Sequence, residues 1–229
     1  MSNKYTLIIK NAECYVDGKL ILTDIAIKDS IISKISKNIS DVADQVLDAK
    51  GLTVFPGIID TQVHFREPGD PNKETLESGS KAAVLGGVTS VFEMPNTSPP
   101  TDSPERFQEK LNRAKDRMHC NYAFYYGATE SNSSSLDVTK DLEGCCGVKM
   151  FVGSSTGNLL VKDDKYIEQV IKNSPRIVSI HSEDEDMLNA RKDKIINGDV
   201  RSHYVWRSVE CAMASTTKVA KFAKSLKKR

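Results

Sequence analysis

From Pro56 onward the chain repeats one pattern, a short apolar run followed by a segment of helical periodicity. This repetition restricts the fold more than any other feature of the sequence. Apolar runs between helices read as strands covered on both faces, as in a parallel sheet. The runs are IIDTQVHF, VTSVFEMP, NYAFYYGA, GVKMFV and RIVSIHS. Between them, KETLESGSKAAVLGG reads as a helix closed by Gly86 and Gly87. Ser103 and Pro104 form an N-cap and first-turn pair for a helix to about Arg117. Asp163 and Asp164 open a helix toward Lys172, and residues 184–196 and 204–226 read as two more. In the last, Val205, Val209, Ala212, Met213, Thr216, Val219, Ala220 and Ala223 form the expected apolar stripe. Five such βα units predict an α/β fold. A closed (β/α)8 barrel takes eight units and typically about 250 residues. Residues 56–229 are therefore expected to form a partial TIM barrel.

Residues 1–55 follow a different rule. TLIIKNAECYV, a turn at Gly18, and KLILTDIAIKDSIISKIS alternate apolar and polar positions, and VLDAKGLTVF continues in that style. This predicts a small, separate antiparallel β unit.

The net charge of +1 gives no general pull toward nucleic acid or a membrane surface. No stretch approaches the roughly 18 apolar residues of a membrane span. The start, MSNKYTLIIK, lacks the apolar core of a signal peptide, so a cytoplasmic location is expected. Five cysteines, two of them adjacent at Cys145 and Cys146, fit neither a disulfide framework nor a C-x-x-C zinc site, and read as free thiols. The basic end KVAKFAKSLKKR suits a helix C-terminus, and its ordinary reading is a solvated terminus.

Parallel barrels carry their chemistry at the C-terminal ends of the strands. The first strand ends in Asp60, Gln62, His64 and Arg66, alternate positions on one face. The second ends in Glu93, Pro95 and Asn96, the fourth carries Lys149, and the fifth ends in His181, Glu183 and Asp184. A lone histidine is more often a packing residue than a ligand, but here two of four histidines fall at strand ends. Lys149 is unusual among apolar neighbours, because burying an unpaired ammonium is costly. A buried lysine loses its proton readily, and the neutral amine can take up carbon dioxide as an anionic carbamate. His119, at a helix end, reads as exposed, and His203 reads as a loop residue that could contact substrate. GSSTGN, residues 153–158, lacks the ending of a P-loop and reads as a loop shaping the pocket.

FPGIIDTQVHFREPG, AAVLGGVTSVFEMPNTSP, GVKMFVGSSTG and VSIHSED, in this order, resemble the dihydroorotases of the amidohydrolase superfamily. Relatives that open hydantoin or allantoin rings lack the arginine of HFREPG. The resemblance implies a metal-bearing (β/α)8 barrel with a small β-sandwich, of which residues 1–55 would be the N-terminal part. It implies zinc-dependent interconversion of dihydroorotate and N-carbamoyl-aspartate in pyrimidine synthesis. By matching position, His64, Lys149 in carboxylated form and His181 would hold one or two zinc ions, while Arg66 and Asn96 would hold the substrate carboxylate.

Three departures qualify this. Gln62 stands where the first histidine of an H-x-H pair belongs, and an amide oxygen is a poorer zinc ligand than imidazole. Some dihydroorotases bridge their metals with an aspartate, so the role of Lys149 follows a subfamily. The strand-six histidine and the strand-eight aspartate, the general base, would lie beyond residue 229, so no residue of this chain is assigned as catalytic. The leading expectation is a dihydroorotase-type hydrolase that is inactive or incomplete as this chain alone, with a complementary C-terminal chain or a transcarbamoylase as the candidate partners. The alternatives are a non-catalytic assembly partner, for instance of a transcarbamoylase, and a decayed gene product.

Overall fold

The computed structural model describes residues 4–154 and 159–228. The chain divides into two compact units, Met1–Gly57 and Ile58–Arg229.

The first unit is a five-stranded sheet of β1 (Tyr5–Val16), β2 (Lys19–Lys28), β3 (Ile31–Ser36), β4 (Ala43–Asp48) and β5 (Thr53–Val54). Its order is β3-β2-β1-β4, with β5 also beside β1. The β1–β2 and β2–β3 pairs are antiparallel, joined by tight turns at Asp17–Gly18 and Asp29–Ser30 whose residues all have positive φ. Both β4 and β5 run parallel to β1, so the sheet is mixed, not antiparallel as expected. The hairpin signals correctly give the first three strands. After them, the 37–42 connection returns the chain to the far side of β1. Asp24 anchors that return, because its carboxylate accepts the backbone N–H groups of Asn11 and Ile39, both at 2.9 Å.

The second unit holds a five-stranded, all-parallel sheet in the order β10-β9-β8-β7-β6. The strands are β6 (Ile58–Val63), β7 (Val88–Glu93), β8 (Asn121–Gly127), β9 (Cys145–Phe151) and β10 (Val178–His181). Helices α1 (Leu76–Leu85), α2 (Pro104–Ala114) and α3 (Asp164–Asn173) follow β6, β7 and β9, and a short 3-10 turn, Leu136–Lys140, follows β8. After β10 come α4 (Glu185–Ala190), α5 (Arg201–Trp206) and α6 (Val209–Ser225). This is a partial (β/α) barrel, with β6 and β10 at the sheet's edges.

Strand alternation sorts the side chains into two sets. Val91, Phe124, Tyr126, Val148 and Met150 turn to the helix layer and meet Leu76, Phe107, Ile167 and Val170 in the main core. Phe92 and Tyr125 lie on the opposite face, in edge-on contact at 6.4 Å. A side chain at Gly147 would strike Tyr125 and the Ile177 carbonyl, so a glycine is required there.

Two helices differ from expectation. Residues 184–196 form α4, which ends at Arg191 with non-helical geometry, and then a 3-10 turn, Lys192–Lys194, after which Ile195 is extended. Residues 204–226 are interrupted at Arg207 and Ser208, which places His203 on α5 and not in a loop. The stripe also turns: Val209 and Met213 are each 59% exposed, while Cys211 and Ser215 are buried and Val219, Phe222 and Leu226 pack against the core. Small residues at 211 and 215 let α6 approach closely, an advantage that apolarity alone does not reveal. Among the described residues, no helix is long and apolar enough to cross a membrane, and all five cysteines are free.

Candidate metal and substrate site

The strand ends of the parallel sheet bring His64, Asn96, Lys149 and His181 to one side of the second unit. His64 follows β6 directly, and its Nδ1 lies 2.8 Å from Asn96 Oδ1, beyond the end of β7. An amide oxygen only accepts, so Nδ1 carries the proton and the Nε2 lone pair is left available for a cation. Burial pushes the His64 pKa down. The positive charges of Arg66 and Lys149 and the His181 ring act in the same direction, against the Asn96 hydrogen bond. These groups are therefore close enough to feel one another.

Lys149 sits in β9 between Val148 and Met150, which both turn to the helix-side core. It is only 2% exposed. Its ammonium stands 5.1 Å from the Phe151 ring, and among the described residues no carboxylate pairs with it. Burial alone lowers its pKa. A buried amine biased toward its neutral form is the species that can add carbon dioxide.

His181 ends β10. Its Nε2 lies 2.6 Å from Glu183 Oε2 and 3.1 Å from Arg207 Nη2. Arg207 also donates from Nε to Glu183 Oε1 at 2.9 Å, and its Nη2 contacts Oε2. Burial acts to raise the Glu183 pKa, but the bonds from Arg207 and His181 outweigh it and hold the carboxyl below its usual range. Glu183 and Arg207 thereby fix the ring of His181, with Arg207 standing at the break between α5 and α6. Small-molecule clefts typically hold about 300–1,000 Å³, and the one beside His181, at ≈ 650 Å³, is lined by Glu183, His203, Tyr204 and Arg207. The sequence signal for Arg207 is weak, a lone arginine between two helical segments.

Arg66 is half-buried and acts electrostatically on both His64 and Glu93. Glu67, beside it, is committed elsewhere: its carboxylate takes a bidentate pair from Arg117, at 2.7 and 3.0 Å, and the Leu76 N–H at 3.0 Å. Gln62 and Asp60 are exposed, and the Gln62 backbone N–H donates to Asp60 Oδ1 at 2.9 Å. Glu93 does not face the site. It is fully buried toward the helix layer, beside Lys110. His119 is exposed. Most of the loop at 153–158 lies outside the described residues.

As a donor set, two imidazoles and Lys149 fit a zinc ion only if the lysine is carboxylated. Among the described residues no group of three or more His, Cys, Asp or Glu side chains is placed to hold a metal. With a carbamate at Lys149 the set becomes two nitrogens and an anionic oxygen, which suits zinc.

The amidohydrolase family model matches residues 53–225, and the chain belongs to that family. Among curated relatives, it is 35% identical to a dihydroorotase of Methanosarcina mazei over 199 residues, 86% of this chain and 43% of the relative. It is 33% identical to a dihydroorotase of Bacillus thuringiensis over 176 residues, 76% of this chain and 40% of the relative. Among solved structures, L-hydantoinase from Arthrobacter aurescens superposes with a TM-score of 0.91 at 26% identity, over 98% of this chain and 52% of that one. The chain thus spans about half the length of the relatives it matches.

Proposed function

We propose that this chain supplies the metal-bearing strand ends of a dihydroorotase-type cyclic amide hydrolase, acting on dihydroorotate and N-carbamoyl-aspartate. The observation that carries the reading is Lys149, a buried lysine without a carboxylate partner among the described residues, on the strand beside His181 and within electrostatic reach of His64. A structural lysine would have a counter-ion; one awaiting carboxylation would not. His64, carboxylated Lys149 and His181 would hold zinc, and zinc would supply Lewis acidity toward the amide carbonyl and toward water. Arg66 would grip the substrate carboxylate with its planar fork, and Asn96 would share that carboxylate while orienting His64.

Dihydroorotate is favoured over hydantoin because Arg66 is present in HFREPG and only the former ring carries a carboxylate to pair with it. With about half a relative's length in hand, ring opening is proposed for this chain together with a complementary barrel half, which would cover the edges of β6 and β10 and supply the general base. Exposed Gln62, in place of a histidine, favours one zinc ion over two and keeps open the second reading, a non-catalytic assembly partner.

The test is calorimetric binding of dihydroorotate and of unsubstituted hydantoin to the zinc-treated chain. Dihydroorotate should bind and hydantoin should not, and Arg66→Ala should abolish the difference without changing zinc content. Equal binding of the two rings would remove the assignment of Arg66.

A further inference from the structure

The most unusual pair in the second unit lies outside the site. Lys110 in α2 is 1% exposed and Glu93 in β7 is 0% exposed. They form an ion pair between the sheet and the helix layer. Lys110 Nζ also donates to the Met94 carbonyl at 3.1 Å and stands 5.1 Å from the Phe124 ring. Among the described residues the Glu93 carboxylate has no partner in hydrogen-bond geometry. Burial pushes Glu93 up to about 7, with Lys110 and Arg66 acting to hold it down. An apolar pair would fill this space at lower cost, so a function other than packing is called for.

The geometry around Met94 supplies one. Met94 is where β7 ends and the chain turns toward Asn96. Its N–H donates to the Val63 carbonyl at 3.0 Å, directly before His64. Its carbonyl is held by Lys110. Two residues on, Asn96 accepts from His64 Nδ1 at 2.8 Å. A path therefore runs from Lys110 by hydrogen bond to the Met94 carbonyl, along the backbone through Pro95 to Asn96, and by hydrogen bond to the His64 ring.

We propose that Lys110 and Glu93 are positioning residues: the buried pair fixes the Met94–Asn96 turn and, through Asn96, the tautomer and orientation of the His64 imidazole. Lys110 reaches the carbonyl, and Glu93 keeps its ammonium at that spot. Neither touches substrate or metal. The inference deepens the metal-site reading and rests on it for its importance, but its test needs no metal.

The experiment is ring-nitrogen NMR of His64 at pH 8 in the full metal-free chain, its signal assigned with His64→Gln. The wild type should show the ring as the Nδ1–H tautomer, and Asn96→Ala should give the signal of a released ring. Lys110→Met should move the signal toward that of Asn96→Ala, and Glu93→Gln should do so in smaller measure. Phe107→Leu, one turn earlier on the same helix, serves as a packing control and should leave the tautomer unchanged while lowering thermal stability. Should Lys110→Met fail to fold, Glu93→Gln decides. An unaltered tautomer in both pair variants, or an equal change in Phe107→Leu, would reduce the pair to packing and overturn the proposal. Zinc titration of the same proteins separates the two readings: a wild type that binds no zinc refutes the metal site and leaves the ring result standing.

Discussion

Replacing Lys149 by methionine should stabilise the metal-free chain. Lys149 is 2% exposed and pairs with no carboxylate among the described residues, so the folded state bears the cost of a desolvated amine. Exchanging buried ionic groups for apolar ones of similar volume is neutral or stabilises by up to about 4 kcal/mol. Against this, the Phe151 ring at 5.1 Å returns about 0.5–2 kcal/mol to an ammonium. Methionine keeps the length and flexibility of the lysine stem, so little cavity or overpacking cost is added. Taking the middle of each range, the net expectation for Lys149→Met is a gain of about 1 kcal/mol. The assay is urea unfolding at pH 7 with chelator present and bicarbonate removed. A higher midpoint with an unchanged slope is the predicted result. Bicarbonate and zinc should then stabilise the wild type and leave the variant unaffected. A loss of more than about 1 kcal/mol in the variant would refute the reasoning, because it would show Lys149 to be a satisfied structural residue.

The remaining predictions concern the frame around the site. Glu67→Gln should cost about 1–2 kcal/mol at pH 7, the lower part of the range for charged hydrogen bonds because Arg117 is 36% exposed. Hydrogen bonding to Arg117, assisted by the Leu76 N–H and opposed by burial, holds the Glu67 carboxyl below its unfolded value. Its contribution is therefore present above the unfolded pKa of about 4.3 and is lost as pH falls through the folded one, so wild type and variant should converge in acid-unfolding curves. Phe107→Ala should cost about 3–5 kcal/mol by chemical denaturation, since the side chain is 1% exposed and packs edge-on to Phe124 at 6.3 Å. Gly153→Ala would place a Cβ 2.4 Å from the Glu183 carbonyl and force β9 and β10 apart at their ends. It should lower zinc affinity about tenfold or more in chelator competition, the scale of an outer-shell defect, with a smaller effect on the unfolding midpoint.

Much of this fold is legible in the sequence because parallel strands and their helices leave strong local signals. The N-cap at Ser103 is found where Ser-Pro announces it, with Ser103 Oγ accepting the Arg106 N–H at 3.3 Å. Gly86 closes α1 as its position suggests. The five runs of apolar residues are five neighbouring parallel strands. What sequence reasoning misses is set by contacts distant in the chain. The parallel placement of β4 and β5 depends on a crossover that no turn motif encodes. Arg207, at the break between α5 and α6, finds its partner in Glu183, 24 residues earlier. The buried face of α6 is set by what its small residues allow to approach, not by its most apolar side chains. Glu93 reads as a site residue because it precedes Pro95 and Asn96, but strand alternation turns it to Lys110. That partner could have been suspected, since Lys110 shares a helix face with Phe107 and Ala114, all three buried. At the candidate site, His64 and Asn96 are brought into contact as a strand-end reading implies, while the roles given to His64, Lys149, His181, Arg66 and Asn96 are the substance of the proposal.

The central claim is that Lys149, as a carbamate, joins His64 and His181 in a zinc site. The most direct measurement is zinc bound per chain in 13C-bicarbonate, with the carbamate carbon observed by NMR on 15N-lysine-labelled protein. The account predicts that zinc and one lysine carbamate appear together, and that both vanish in Lys149→Met while His181→Ala loses zinc. Zinc bound equally by wild type and Lys149→Met, or a wild type that takes up neither zinc nor carbon dioxide, would contradict it.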